Sequence, residues 1–367
     1  MPDASTVPAR RTFFVGTYTL TTSRGIYAAQ IDTATGVLSP AQPVAETVNP
    51  TFLALHPNGR VLYALRELGT VDGKPGGAIS AFAISPGSST LTPLNEQPSG
   101  HISLTHLAVD SSGQSVVAVS YSGGYTVSFP LVADGRIGPR VSFFPHHGPL
   151  GPNRSRQDKP HPHSVTLSSD NHFALVADLG LDRVFSYRLE ISGAQLQPND
   201  PASTAINPGS GPRHTKFSRD GRFFYVLNEI DGSITACAYD AAHGTLAPFQ
   251  QITTLPPDFQ VKDADRAAEI HVHPNGKFLY ASNRGHDSIA IFAIHAETGA
   301  LTKVETTPCG GKAPRNFALT PDGAWLVCAH QESNTLCSFA VDATTGKLTL
   351  IPGTIGVPSP VCVLFAD

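Results

Sequence analysis

The 367-residue sequence predicts an all-β fold, a seven-bladed β-propeller whose ring is closed by the C-terminal strand completing the first blade. Three observations predict it. A turn-and-strand unit recurs along the chain, a hairpin of constant form follows each copy, and the two termini carry complementary parts of one blade.

The unit reads "HPNGRVLYALRE", "SSGQSVVAVSYS", "SSDNHFALVADL", "SRDGRFFYVLNE", "HPNGKFLYASNR" and "TPDGAWLVCAHQ". Its anchors, Gly59, Gly113, Asn171, Gly221, Gly276 and Gly323, lie 54, 58, 50, 55 and 47 residues apart. A period of about 50 residues, built from short alternating apolar runs and Gly/Asp/Asn turns, marks propeller blades that need neighbours to cover their faces.

The hairpin recurs seven times, from "IYAAQIDTATGVL" to "LCSFAVDATTGKL", which gives seven blades. The last six copies read inner strand, turn, second strand, loop, third strand, turn, outer strand. The first copy starts directly at "RTFFVGTYT", whereas "SPVCVLFAD" at the other terminus has the pattern of an inner strand with nothing after it. The C-terminal strand is therefore expected to complete the first blade, so that the ring has no free edge. The expected organisation is one domain over residues 1–367, with residues 1–10 a flexible extension.

Composition sets the class of partner. With 40% hydrophobic and 15% charged residues, the chain can bury a large core. A net charge of −4 and a pI near 6.4 supply no basic field, which excludes nucleic acid and anionic membrane as general partners. No run of 18 apolar residues exists, and "MPDASTVPARRTFF" lacks an apolar signal segment. A cytoplasmic monomer is expected, or a periplasmic or secreted one if a leader has been trimmed. Five cysteines, Cys237, Cys309, Cys328, Cys337 and Cys362, have no CxxC spacing and are expected as core residues in a reducing compartment.

The repeats align with one another, and the alignment isolates a site. The start of the inner strand reads Thr51/Phe52, Thr105/His106, His163/Ser164, Arg213/His214, Ala268/Glu269 and Arg315/Asn316. The end of the second strand reads Arg66/Glu67, Ser120/Tyr121, Asp178/Leu179, Asn228/Glu229, Asn283/Arg284 and His330/Gln331. In an antiparallel pair these ends lie side by side, so both slots open onto one mouth of the central channel. Variation confined to one rim of a repetitive frame is the pattern of a site carried by a fold.

Simpler roles account for other polar residues. His56 and His273 share a turn slot with Ser218 and Thr320, and Asp220, Asn275 and Asp322 belong to the same turns. Trp325 aligns with Phe223 and Phe278 and is expected in the core. "HPH" at 161–163 and "HVH" at 271–273 place two histidines on one strand face, but no third ligand follows at a recognisable spacing, so no metal is expected. Arg213, Glu229 and Arg284 could form an interblade salt bridge. Charges rarely gather in a narrow mouth, however, unless they are paired or used.

A Pro/Gly-rich insertion, "FFPHHGPLGPNRSRQDKPHPHSV", brings Arg154, Arg156 and Lys159 ahead of His163 and is expected to overhang the mouth. With Arg213, Arg284 and Arg315 it would create a local positive field suited to an anionic small molecule.

Taken in order at blade spacing, "GPRHTKF", "LNE", "AEIHVHPNGKFLYASNR" and "APRNFALTPDG" resemble the seven-bladed lactonase propellers. That family includes cycloisomerase-type 6-phosphogluconolactonases and fungal carboxy-cis,cis-muconate cyclase. The resemblance runs from "FFVGTYT" to "APRNFALTPDGAWL", almost the whole chain. It implies a catalytic set of His163, Arg213, Glu229 and Arg284, with "PHPHSV" the loosest match.

Lactone hydrolysis needs a water made nucleophilic and a donor or cation at the carbonyl oxygen, where negative charge develops. Glu229 or His163 would activate the water and Arg213 would stabilise the oxyanion. Arg284, Arg315 and the basic loop would hold a phosphate or carboxylate. His214, Glu269, His271 and Gln331 complete the expected binding residues at the same mouth. No GxSxG motif occurs, so direct water attack on an anionic lactone, without a cofactor, is expected. Two alternatives stay open: a lactonising cycloisomerase using the same arginines, and a non-catalytic binding propeller. The latter would call for exposed aromatic and apolar rim residues, whereas the slots are chiefly His, Arg, Glu and Asn.

Overall fold

The computed structural model describes residues 10–71, 73–259, 261–262 and 266–366. Seven sheets, each with a path of four antiparallel strands, stand in a ring around a central channel, with each inner strand beside the next. The first blade joins the two ends of the chain: Pro360–Phe365 pairs with Arg10–Thr17, which pairs with Gly25–Asp32 and then Gln42–Glu46. The terminal complementarity read from the sequence is realised in this closure. Residues 1–9 of the expected extension fall outside the described residues, and Arg10 is already strand, paired with Asp32.

The glycines of the four hairpin turns that read "TG" or "HG" each have a tight reason to be glycine. At Gly244, Gly299 and Gly346 the backbone carries a positive φ, and an added Cβ would strike Phe173, Phe223 and Phe278 of the preceding blade. At Gly36 (φ +75°) the same place is taken by Trp325, whose indole Nε1 donates to the Thr33 carbonyl at 3.1 Å. Trp325 is thus half-buried and clamps the last blade onto the first, instead of lying inside the core as expected. Hydroxyl groups add a second stitch between the same blades: Tyr225 donates to the Gly299 carbonyl and Tyr280 to that of Gly346, both at 2.9 Å.

Between blades lie apolar layers such as Tyr225, Leu227, Ile234, Ile270, Leu279 and Phe292. All five cysteines are buried free thiols. His56 and His273 hold turns as expected, their Nε2 atoms lying 3.1 and 3.0 Å from the carbonyls of Gly113 and Gly323. No helix among the described residues is long and apolar enough to cross a membrane.

Candidate active site

The inner strands begin with a bulge, and the bulge falls on the variable slot. Register slips between Pro162 and Ser164, between Pro212 and His214, between Ala267 and Ile270, and between Pro314 and Asn316. His163, Arg213, Glu269 and Arg315 therefore sit where strict alternation is broken. An extra residue in one strand lets consecutive side chains leave the usual in-out order, a common device beside active sites.

Glu229 is the hub. It follows the second strand Phe223–Asn228 of the fifth blade, and its N–H donates to the Gly211 carbonyl at 2.7 Å. Oε2 accepts from Arg213 Nε at 2.7 Å and lies 3.1 Å from Arg284 Nη2, while Oε1 accepts from Arg156 Nη2 at 2.5 Å. Nε2 of His163 stands 3.8 Å from Oε2. Burial alone would raise the Glu229 carboxyl, but the Arg284, Arg213 and Arg156 guanidinium groups outweigh it and hold it well below the usual range. Burial, then the Arg213 and His214 groups, keep His163 well below an ordinary histidine, so the ring is neutral at pH 7. Two buried polar atoms here have no hydrogen-bond partner: His163 Nδ1 and Arg284 Nε.

A cavity of about 230 Å³ opens over these groups, walled by His163, Glu229, Arg284, Arg315, Arg156 and Arg266, with Glu67, Thr105 and Tyr121 completing it. Arg315 is held by Gln331 Oε1 at 3.4 Å and by the Tyr18 hydroxyl at 3.2 Å, and its guanidinium lies 5.4 Å from the Tyr18 ring centre. Tyr18 in turn donates to Glu67 Oε2 at 3.2 Å. Arg213 backs Glu229 from below, donating Nη1 to the Ala268 carbonyl, and is not among the cavity walls.

The inserted loop supplies one cation of the three expected. Arg156 reaches Glu229, Lys159 turns away to the Ser122 carbonyl at 2.8 Å, and Arg154 is exposed. The loop is pinned by a buried network that the sequence does not announce. His146 Nδ1 lies 2.8 Å from Asp178 Oδ2, and Asp178 Oδ1 accepts the His161 N–H at 2.9 Å. His161 is further engaged by Asp158 Oδ1 and the Tyr121 carbonyl, each at 2.9 Å.

His214, Glu269 and His271 do not line this mouth. His214 Nδ1 and Glu269 Oε1 form a buried pair at 3.0 Å one tier below, with Asn316 Nδ2 donating to Oε2 of Glu269. The His214 ring is 5.3 Å from that of His163 and 5.2 Å from that of His106. His271 lies farther along the strand, in a separate cavity with Lys216. For His271 the reason is the pleat: it stands two positions beyond Glu269, on the same strand face but about 7 Å further along the channel.

Four contributors to the mouth were missed. Tyr18 belongs to the first blade, which has no anchor turn from which to count; aligning "FVGTY" with "YVLNE" would have found it. Glu67 occupies a slot but was passed over, Thr105 likewise, and Arg266 is brought in by the double slip between Ala267 and Ile270.

Fold and site together define a propeller enzyme of the channel-mouth type, with a carboxylate, a neutral histidine and clustered guanidinium groups at one end of the bore. The family model described as lactonase, 7-bladed beta-propeller, matches residues 12–365, and the chain belongs to that family. It is 36% identical to a Bacillus subtilis 6-phosphogluconolactonase over 352 residues, 96% of this chain and 97% of that one. The Pseudomonas aeruginosa periplasmic gluconolactonase superposes with a TM-score of 0.90 at 32% identity, covering 98% of this chain and 99% of that one. A Bacteroides fragilis structure assigned provisionally as a 6-phosphogluconolactonase matches with a TM-score of 0.90 at 34% identity over 100% of both chains. The chain is a lactone-hydrolysing enzyme of this family.

Proposed function

We propose that the substrate is 6-phosphogluconolactone and that His163 is the base which activates the attacking water. One observation carries the assignment of the base: His163 and Arg284 wall the same cavity, and His163 Nδ1 and Arg284 Nε are buried without hydrogen-bond partners. Glu229 is the weaker candidate because its two oxygens already serve three guanidinium groups.

In this reading the neutral His163 takes a proton from water as the oxygen attacks the lactone carbonyl. Arg284 meets the oxyanion, the ring C–O bond breaks, and His163 returns its proton to the leaving alkoxide. The carboxylic acid then ionises. Arg213, with Nε on Glu229 and Nη1 on a carbonyl, serves as a positioning residue and not as the oxyanion donor first expected. Glu229 keeps Arg213 and Arg284 aligned, and Arg315, which has no carboxylate within ion-pair distance among the described residues, receives the phosphate together with Arg266.

A lactonising cycloisomerase would need an acid charged with a proton to place on carbon. Neutral His163 and ionised Glu229 do not favour it. The buried free thiols and a phosphorylated substrate fit a reducing, cytoplasmic setting. The test is pH-stat hydrolysis of fresh 6-phosphoglucono-δ-lactone and of glucono-δ-lactone against the spontaneous rates. Faster enzymatic turnover of the phosphorylated lactone supports the assignment; equal or better use of the plain lactone removes the phosphate from it.

A further inference from the structure

The channel has a second charged end. A cavity of about 370 Å³ lies where the inner strands Pro212–Phe217 and Arg266–Val272 run out, walled by Lys216, Arg219, His271, Phe217, Pro274 and Pro321. The internal alignment shows how unusual its lining is. Three positions beyond the first slot residue, the blades carry Ala54, Ala108, Thr166, Lys216, His271 and Ala318. Small or apolar residues are the rule in this tier, Leu364 standing there in the first blade, and the two exceptions are a lysine and a histidine in adjacent blades. The turn slot behaves alike: Pro57, Ser111, Ser169, Pro274 and Pro321 are uncharged, and the remaining member is Arg219. All three departures meet in one cavity.

The charge there is not compensated. Lys216 is half-buried, and its ammonium has no hydrogen bond or ion pair among the described residues. No carboxylate walls the cavity. Two neighbouring acids do not reach Lys216: Glu269, 3.9 Å from His271 Nε2, is bonded by His214 and Asn316, and Asp220 is paired with Arg222 Nε at 2.6 Å. Apolar walls of proline and phenylalanine weaken solvent screening of the ammonium.

We infer that this far cavity is a second anion site, separate from the catalytic mouth, which takes a phosphate group between Lys216, His271 and Arg219. The compact ammonium and imidazole supply point contacts inside, and the exposed Arg219 closes over the outer oxygens. The phosphate could arrive free or as an ester of a small sugar.

The test is titration calorimetry at low ionic strength on the full chain, with inorganic phosphate and glucose 6-phosphate as separate probes. Arg315→Met supplies a background in which the mouth binds phosphate poorly. In that background Lys216→Met should weaken binding by roughly ten- to a hundredfold, whereas Lys216→Arg should keep most of it. The His271 ring signals should shift along the same binding curve. Binding of both probes assigns the site to the phosphate group itself, and binding of the ester alone assigns it to a phosphorylated sugar. Absence of binding in the Arg315→Met chain, binding indifferent to Lys216→Met, or equal loss in Lys216→Met and Lys216→Arg would overturn the inference. Lactone hydrolysis by Lys216→Met should match the unaltered chain, so the outcome does not depend on the substrate proposed above.

Discussion

Arg213 donates its Nε–H to Oε2 of Glu229 at 2.7 Å, and the two residues are only 2% and 3% exposed. A buried pair of this kind is expensive to break on one side, because the charge left behind is not resolvated. Glu229→Gln should therefore destabilise the fold by about 3–5 kcal/mol, since it leaves Arg213, Arg284 and Arg156 facing one another. Arg213→Met combined with Glu229→Gln should cost less than the sum of the single changes. Urea denaturation of the four chains measures the coupling.

The phosphate arm is separable from the chemistry. Arg315 is braced by Gln331 and Tyr18 and does not touch Glu229. Arg315→Met should lower kcat/KM for the phosphorylated lactone by about 1.5–3 kcal/mol, roughly ten- to a hundredfold, mainly through KM. Glucono-δ-lactone should be nearly unaffected, and a parallel loss on both lactones would assign Arg315 to the reaction itself.

Acid should weaken the fold, starting with the histidines. Burial holds His106, His163 and His214 well below the ordinary value of about 6.5. A folded pKa below the unfolded one means that the unfolded chain binds more protons, so stability falls as pH drops from about 6.5 toward the folded values. Glu229 adds a second loss at lower pH: its stabilisation is complete above the unfolded carboxylate value of about 4.3 and disappears as pH falls through its depressed folded pKa. Thermal melts between neutral pH and pH 5 should show the decline. His106→Phe, which keeps the ring contact with Phe52, should flatten it.

The ring closure can be probed far from the site. Gly36 has φ +75°, and an added Cβ would fall 2.2 Å from Trp325. Gly36→Ala should destabilise by about 1–3 kcal/mol, while leaving KM unchanged.

Much of this was legible in the sequence because repetition supplies its own alignment. "SPVCVLFAD" without a partner and "RTFFVGTYT" without an inner strand foretold the shared first blade. The paired slots picked out His163, Arg213, Glu229, Arg284 and Arg315, which the structure gathers within one cluster. Depth along the channel was not legible. Bulges shift the register at the slots, so Arg266 enters the mouth, and His271, two residues beyond Glu269, opens into another cavity. The loop was the other blind spot: only its path, fixed by His146 on Asp178, decides that Arg156 points inward and Arg154 outward.

The most direct measurement is the steady-state hydrolysis of 6-phosphoglucono-δ-lactone by the unaltered chain and by His163→Gln, followed from neutral pH to below 6. With His163 as the base, kcat should fall by about a hundredfold or more in His163→Gln with little change in KM, and kcat/KM of the unaltered chain should hold level through pH 6.5. A folded His163→Gln chain that keeps kcat within a few-fold would contradict the assignment and return the water to Glu229.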